Sequence, residues 1–248
     1  MRPRKIKNHQ GGFTIVELMI ALSILSTILI VSTAVLMQIG SIYTKGVNEA
    51  NVQNATRTIV ADLTATLQFS GFAPDNCVTT PTTCYSQSPA PSDLIHGPFA
   101  FCVGNTRYSY LLDRELGTDS DLTNTPHVLW RDTIKQGLPC NPLNLNRQTV
   151  LADPSSANYI SGVPQPSDGY EMLGNKMRLT KFLIAPSGSA SGDLYNIDVR
   201  ITFGDHDLLT PDPNISPDPN GNESCIGNTG DQFCAASEIN STVGGRTY

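Results

Sequence analysis

The chain has 248 residues, a formal net charge of −6 and six cysteines, a length that suits one helix plus one globular domain. Four basic and no acidic residues lie in residues 1–12, so the remainder carries −10. A surface that acidic excludes a broad nucleic-acid interface, because contact with phosphates needs Lys and Arg.

The first element is a basic leader, Met1 to Gly12, with Arg2, Arg4, Lys5 and Lys7. Behind it, Leu18 to Met37 is twenty residues without a charge or a proline. As a helix it spans about 30 Å, the thickness of a bilayer's hydrocarbon core. A secretory signal peptide has the same order of charges and apolar residues, but it is cut after the apolar run, behind small residues. Here the run continues Met37-Gln38-Ile39-Gly40-Ser41-Ile42-Tyr43, with no such site. The expected cut lies before it, between Gly12 and Phe13, and leaves the helix on a mature chain of 236 residues. The basic leader fits the cytoplasmic side of a membrane, and no second spanning segment is expected.

One carboxylate, Glu17, stands at the head of the apolar run. An isolated charge there costs roughly 2–3 kcal/mol on insertion scales, so it needs a partner. Phe13, whose amine cleavage would free, lies four residues earlier, one helical turn away. Glycine, phenylalanine, threonine, glutamate and leucine at Gly12, Phe13, Thr14, Glu17 and Leu18, followed by a long apolar helix, resemble the N-terminus of type IV prepilins and type II secretion pseudopilins. The resemblance implies that a membrane prepilin peptidase cuts after Gly12 and then N-methylates Phe13. It implies that Glu17 meets a neighbouring subunit's terminal ammonium in a filament core, setting axial register and removing two buried charges together. The implied partners are the prepilin peptidase, other major and minor pilins, and the pilus assembly platform in the membrane. The implied location is a single-pass cytoplasmic (inner) membrane protein with its ectodomain outside the cytoplasm, then a pilus or a periplasmic pseudopilus.

The helix is expected to continue past the membrane segment. No proline occurs before Pro74, and Val52, Ala55, Ile59, Leu63 and Leu67 draw one apolar stripe, with Arg57 and Asp62 off it. Gly40 and Gly46 are soft points, each costing about 1 kcal/mol relative to alanine. Gly71 suits a helix terminator. The spacing predicts a helix of about 55 residues between Phe13 and Ser70, apolar all round at first and amphipathic after that. The amphipathic half must be covered by the rest of the chain.

That remainder reads as strands separated by long loops. Leu194 to Phe203 alternates apolar and polar residues with a period of two. Lys176 to Ala185 is a second strand, whose apolar positions Met177, Leu179, Phe182 and Ile184 change phase once and predict a bulge. A hairpin-type loop joins them through Pro186 to Gly192. Weaker strands are expected at Pro98–Val103, Arg107–Leu112, Val128–Asp132 and Gln148–Leu151. Cys77 to Asp93 and Leu208 to Gly230 are expected to be irregular, ahead of a polar C-terminal tail. The fold class is therefore α+β, a long N-terminal helix on an antiparallel sheet ectodomain with disulfide-pinned loops; the resemblance implies the same pilin-like architecture. The expected boundaries are 1–12 for the leader, 13–43 for the membrane or filament-core helix, 44–71 for its amphipathic continuation and 72–248 for the ectodomain.

All six cysteines, Cys77, Cys84, Cys102, Cys140, Cys225 and Cys234, follow the membrane segment. An even number in an exported domain implies three disulfides with fifteen possible connectivities. Short loops favour Cys77 with Cys84 and Cys225 with Cys234, leaving Cys102 with Cys140. Asp218, Asn220 and Asn222 start like a calcium loop, but Glu223 and Thr229 stand where that motif needs glycine and glutamate, so a solvated turn is expected. Asn54, Asn214, Asn222 and Asn240 fit the N-x-S/T pattern. The four histidines are scattered, and Gly188 to Gly192 has Ala190 where a nucleophile elbow needs serine. No cofactor and no catalytic activity are expected.

Major pilins are usually shorter. Asn54, Arg57, Asp62-Leu63, Ser70-Gly71-Phe72 and Cys77 resemble the W/J class of minor pilins, which implies a role in priming filament assembly. The alternatives are a minor pseudopilin of a type II secretion system and, from another class, a membrane-anchored adhesin or binding module that never polymerises.

Overall fold

A computed structural model of the chain describes residues 12–69, 86–87, 99–116, 127–134, 140–143, 145, 169–187, 194–210, 223–227 and 230–244. The chain divides into two compact units, Met1–Tyr43 and Thr44–Tyr248. Helix α1, Ile15–Phe69, contributes to both and is helical through Gly40 and Gly46. A side chain at either glycine would meet nothing within 4 Å, so neither glycine is required by close packing.

In the first unit the described residues of α1 are almost all exposed, with the large apolar side chains from Ile15 to Tyr43 facing outward. Four of its hydroxyls are satisfied locally. Ser23, Ser26, Thr27 and Thr33 donate to the carbonyls of Ile20, Leu22, Ile24 and Leu29 at 2.6–2.8 Å. Pairing of this kind lowers the cost of placing a hydroxyl in a hydrocarbon medium. Among the described residues α1 is the one helix long and apolar enough to cross a membrane.

In the second unit α1 buries Val52, Thr56, Ile59, Val60, Leu63 and Leu67. These lie three or four apart and so share one face. Thr56, the polar member, donates to the Val52 carbonyl at 2.8 Å. Among the described residues the strands are β1 (Ser86–Gln87), β2 (Phe99–Val103), β3 (Thr106–Tyr110), β4 (Leu129–Thr133), β5 (Gly169–Glu171), β6 (Met177–Pro186), β7 (Leu194–Phe203), β8 (Leu209–Thr210), β9 (Ser224–Cys225) and β10 (Ala235–Gly244). They form a five-stranded antiparallel meander β1-β2-β3-β4-β5, a three-stranded antiparallel sheet β10-β7-β6 and the small pair β8-β9.

The two larger sheets and the helix stripe share one core. Phe101, Tyr108, Tyr110, Leu129, Leu179, Phe182, Ile197, Val199 and Ile201 pack with Val52, Ile59, Leu63 and Leu67. The rings of Tyr110 and Phe182 lie 4.5 Å apart between centroids. Each fully buried aliphatic side chain of this kind contributes about 1.5–3 kcal/mol. β2 is buried at all five positions, because its other face is covered as well: Ala100 and Cys102 pack with Ile134 and Cys140. Residues 113–116 tie the sheets together. Asp113 donates its amide to the Leu179 carbonyl, Leu116 to Met177, and Lys176 to Leu116. The buried Arg178 guanidinium donates to the Asp113 carbonyl and to Glu115 at 2.9 and 2.8 Å.

Several expectations need correction. The antiparallel part is two principal sheets rather than one. The polar tail is strand β10, paired with β7 over ten consecutive residues. Its apolar residues are sparse, with Ala235, Ile239 and Val243 on the face toward the core among small polar residues, so the strand signal is weak in the sequence and the ladder with β7 adds to it. The irregular region at 208–230 contains β8 and β9, and the loop expected from Cys77 to Asp93 contains β1. The phase change in β6 is a register irregularity between Leu179 and Lys181. Gln148–Leu151 and Gly71 lie outside the described residues.

Candidate functional site

The N-terminal site is set by two hydrogen-bonding side chains three residues apart. Thr14 accepts the first backbone bond of the helix, from the Leu18 amide at 3.2 Å. Its hydroxyl oxygen accepts the Glu17 amide at 3.2 Å. In return the Glu17 carboxylate accepts the Thr14 amide and hydroxyl, both at 3.3 Å. This is a capping box, which satisfies amides that a helix start leaves without partners and places a carboxylate at the positive end of the helix dipole. It starts the helix at Ile15, two residues later than Phe13. The Thr14-x-x-Glu17 spacing carries this signal in the sequence, where Glu17 was assigned only the amine of Phe13 as its partner.

Gly12 and Phe13 precede the cap in non-helical conformation and are exposed, Phe13 at 88%. The Gly12–Phe13 peptide is therefore held outside the helix and open to an enzyme. Hydrolysis there would leave an ammonium on Phe13, one residue before the cap, with the Glu17 carboxylate at the same helix end.

A second polar constellation lies in the second unit. The Tyr108 hydroxyl donates to Asp62 Oδ2 at 2.6 Å and lies 2.9 Å from Thr66 Oγ1. Arg131 Nε is 2.9 Å from the same Asp62 oxygen, and the Arg131 guanidinium lies 5.7 Å from the centre of the Tyr170 ring. Burial, together with the hydrogen bond to Asp62, pushes the Tyr108 phenol well above its ordinary value. Burial works against the Arg131 charge, but the hydrogen bond to Tyr108 and the Asp62 carboxylate outweigh it and raise its pKa. The group latches the amphipathic half of α1 to β3 and β4. Asp62 was read as lying off the apolar stripe and as part of the W/J-like pattern, and nothing local in the sequence pairs it with residues 46 and 69 positions away.

Cys102 joins Cys140, and Cys225 joins Cys234. Cys77 and Cys84 lie outside the described residues, as do the calcium-loop candidates Asp218, Asn220 and Asn222. Among the described residues no group of three or more His, Cys, Asp or Glu side chains is placed to hold a metal. His127 lies 3.3 Å from Glu171 and against the Trp130 ring, and His206 is in an exposed turn of 3-10 helix. Arg57, Asn54 and Asn240 are exposed.

A long apolar N-terminal helix, an amphipathic continuation packed on antiparallel sheets and two disulfides define a pilin-like α+β fold. Residues 7–33 match the prokaryotic N-terminal methylation motif. The matched stretch is the basic leader and the start of α1, so the N-terminus is prepilin-like, and a motif of this kind implies processing by prepilin peptidase and assembly into a pilus or pseudopilus. No curated protein and no solved structure matches the chain.

Proposed function

We propose that the protein is a minor type IV pilin: cleaved after Gly12, N-methylated on Phe13, and incorporated into a pilus or priming its assembly. The observation that carries this reading is the helix start itself, where an exposed Gly12–Phe13 peptide sits beside a carboxylate held by Thr14 within the matched motif. Cleavage adds a Phe13 ammonium to that end while the Thr14 amide stays capped, so that an ammonium and the Glu17 carboxylate share one helix start. Such a pair is tolerated inside a filament because each charge neutralises the other, whereas either alone costs several kcal/mol. The minor role draws its support from chain length and from the W/J-like residues Arg57 and Asp62. Gly12 and Phe13 are then the processing residues, and Glu17 is the assembly residue that sets the register between subunits.

Intact-mass and N-terminal peptide analysis of the protein from its native membrane tests the proposal. A chain starting at N-methylated Phe13 only when the prepilin peptidase is present is the expected result. A chain starting at Met1, or cut beyond Met37, overturns it.

A further inference from the structure

The stretch of α1 from Thr44 to Asn51 contains no buried residue; the first is Val52. It also contains Gly46, which weakens a helix relative to alanine. Side chains of the C-terminal region grip this weak stretch. Lys45 pairs with Asp231, and the Asn48 amide donates to the Gln232 carbonyl at 2.9 Å. Asp231 and Gln232 belong to a single turn of 3-10 helix, Asp231–Phe233, entered through Gly230 at φ +111°. That positive φ is left-handed backbone, which glycine adopts without a Cβ penalty.

The Cys225–Cys234 disulfide closes the loop carrying this turn, nine residues apart in sequence. One end is held by β8, through Leu209 opposite Cys225 and the Ile226 amide on the Leu208 carbonyl. The other end runs directly from Cys234 into β10 at Ala235. The turn is thus fixed at both ends, and it presents the Asp231 carboxylate and the Gln232 carbonyl to the helix.

We propose that the Cys225–Cys234 loop is a disulfide-dependent clasp on α1. Closed, it holds residues 45–51 helical; reduced, it releases them to local opening while the sheets stay intact. Reduction takes two electrons and two protons from a dithiol, which is itself oxidised to a disulfide, and leaves two thiols at Cys225 and Cys234.

Hydrogen exchange followed by mass spectrometry on the full chain in detergent micelles tests this. In a Cys225→Ser/Cys234→Ser variant, amides of 45–51 are expected to exchange about tenfold faster or more, the size that loss of a hydrogen bond to a charged group produces. Peptides from β6 and β7 should keep their protection. Asp231→Asn, which leaves the disulfide in place, should give a smaller rise confined to 45–51. A Lys45→Asp/Asp231→Lys exchange should restore protection. Unchanged exchange at 45–51 with β6 and β7 still protected overturns the proposal. If the serine variant loses protection everywhere, Asp231→Asn decides: a rise confined to 45–51 upholds the clasp, and no rise overturns it.

Discussion

Residues 15–43 and 44–69 of α1 are one continuous helix with opposite environments. In the first stretch Leu25, Ile28 and Leu29 are more than half exposed, while in the second Ile59 and Leu63 are fully buried. The backbone is helical in both, so helix propensity does not distinguish them. The difference is where the apolar surface finds its partner. The second stretch finds it within the chain, in the aromatic and aliphatic faces of two sheets. The first turns the hydroxyls of Ser23, Ser26, Thr27 and Thr33 onto its own backbone and leaves its apolar exterior exposed.

The sharpest break of that comparison is a crossed pair of substitutions. Glu17→Ala should leave ectodomain stability unchanged and lower incorporation into filaments by more than a hundredfold, because an unpartnered buried ammonium costs about 3–5 kcal/mol. Leu63→Ala should do the reverse at the level of folding, costing about 2–5 kcal/mol of stability through lost burial and a cavity. Filament recovery and thermal melts of the same two proteins measure both effects. A melt shifted by Glu17→Ala, or unmoved by Leu63→Ala, would erase the distinction between the stretches.

A smaller effect sharpens the account of how the second stretch is held. The Tyr108 phenol has its pKa raised by burial and by Asp62. The unfolded chain therefore releases that proton first as pH climbs above the ordinary value of 10.0. The contribution is present in full below pH 10 and is lost above it, as ionisation favours the unfolded state. Tyr108→Phe should flatten the alkaline fall in stability and cost about 1 kcal/mol at neutral pH, where the hydrogen bond to Asp62 is lost. Denaturant titrations at pH 7 and above pH 10 report both.

The smallest effect concerns the sheet alone. Lys181 lies 2.6 Å from Asp198 and 3.2 Å from Glu238, and Arg200 lies 3.3 Å from Glu238. Burial works against the Glu238 charge, but Lys181 and Arg200 outweigh it and lower its pKa. Stability from this group is thus present above the unfolded value of 4.5 and is lost as pH falls through the lowered folded value. Because Glu238 is largely exposed, Glu238→Gln should cost less than about 1 kcal/mol at pH 7. That cost should disappear under strongly acidic conditions. A cost that persists there would assign the role of Glu238 to packing.

Local pattern carried much of this protein. The unbroken apolar run determined the first stretch of α1, because twenty uncharged residues have no other stable solution than an apolar surround. The three- and four-residue spacing of Val52, Ile59, Leu63 and Leu67 determined which face of the second stretch is buried. Strict alternation determined β7 from Leu194 to Phe203, and the phase slip of Met177, Leu179, Phe182 and Ile184 marked the irregularity in β6. The Thr14-x-x-Glu17 spacing is a capping-box signal that went unread when Glu17 was paired with an amine.

Tertiary structure decided what depends on residues far apart in sequence. Strand β10 has only Ala235, Ile239 and Val243 to offer the core, and its place is set by the ten-residue ladder it makes with β7. The meander meets the second sheet through residues 113–116, which bond to β6 although they lie far from it in sequence. Asp62, Tyr108 and Arg131 meet because a helix and two strands share a core, and Lys45 reaches Asp231 because a disulfide presents that turn. Periodicity reports which way a side chain faces within its own element; only the packing of elements determines what it meets there.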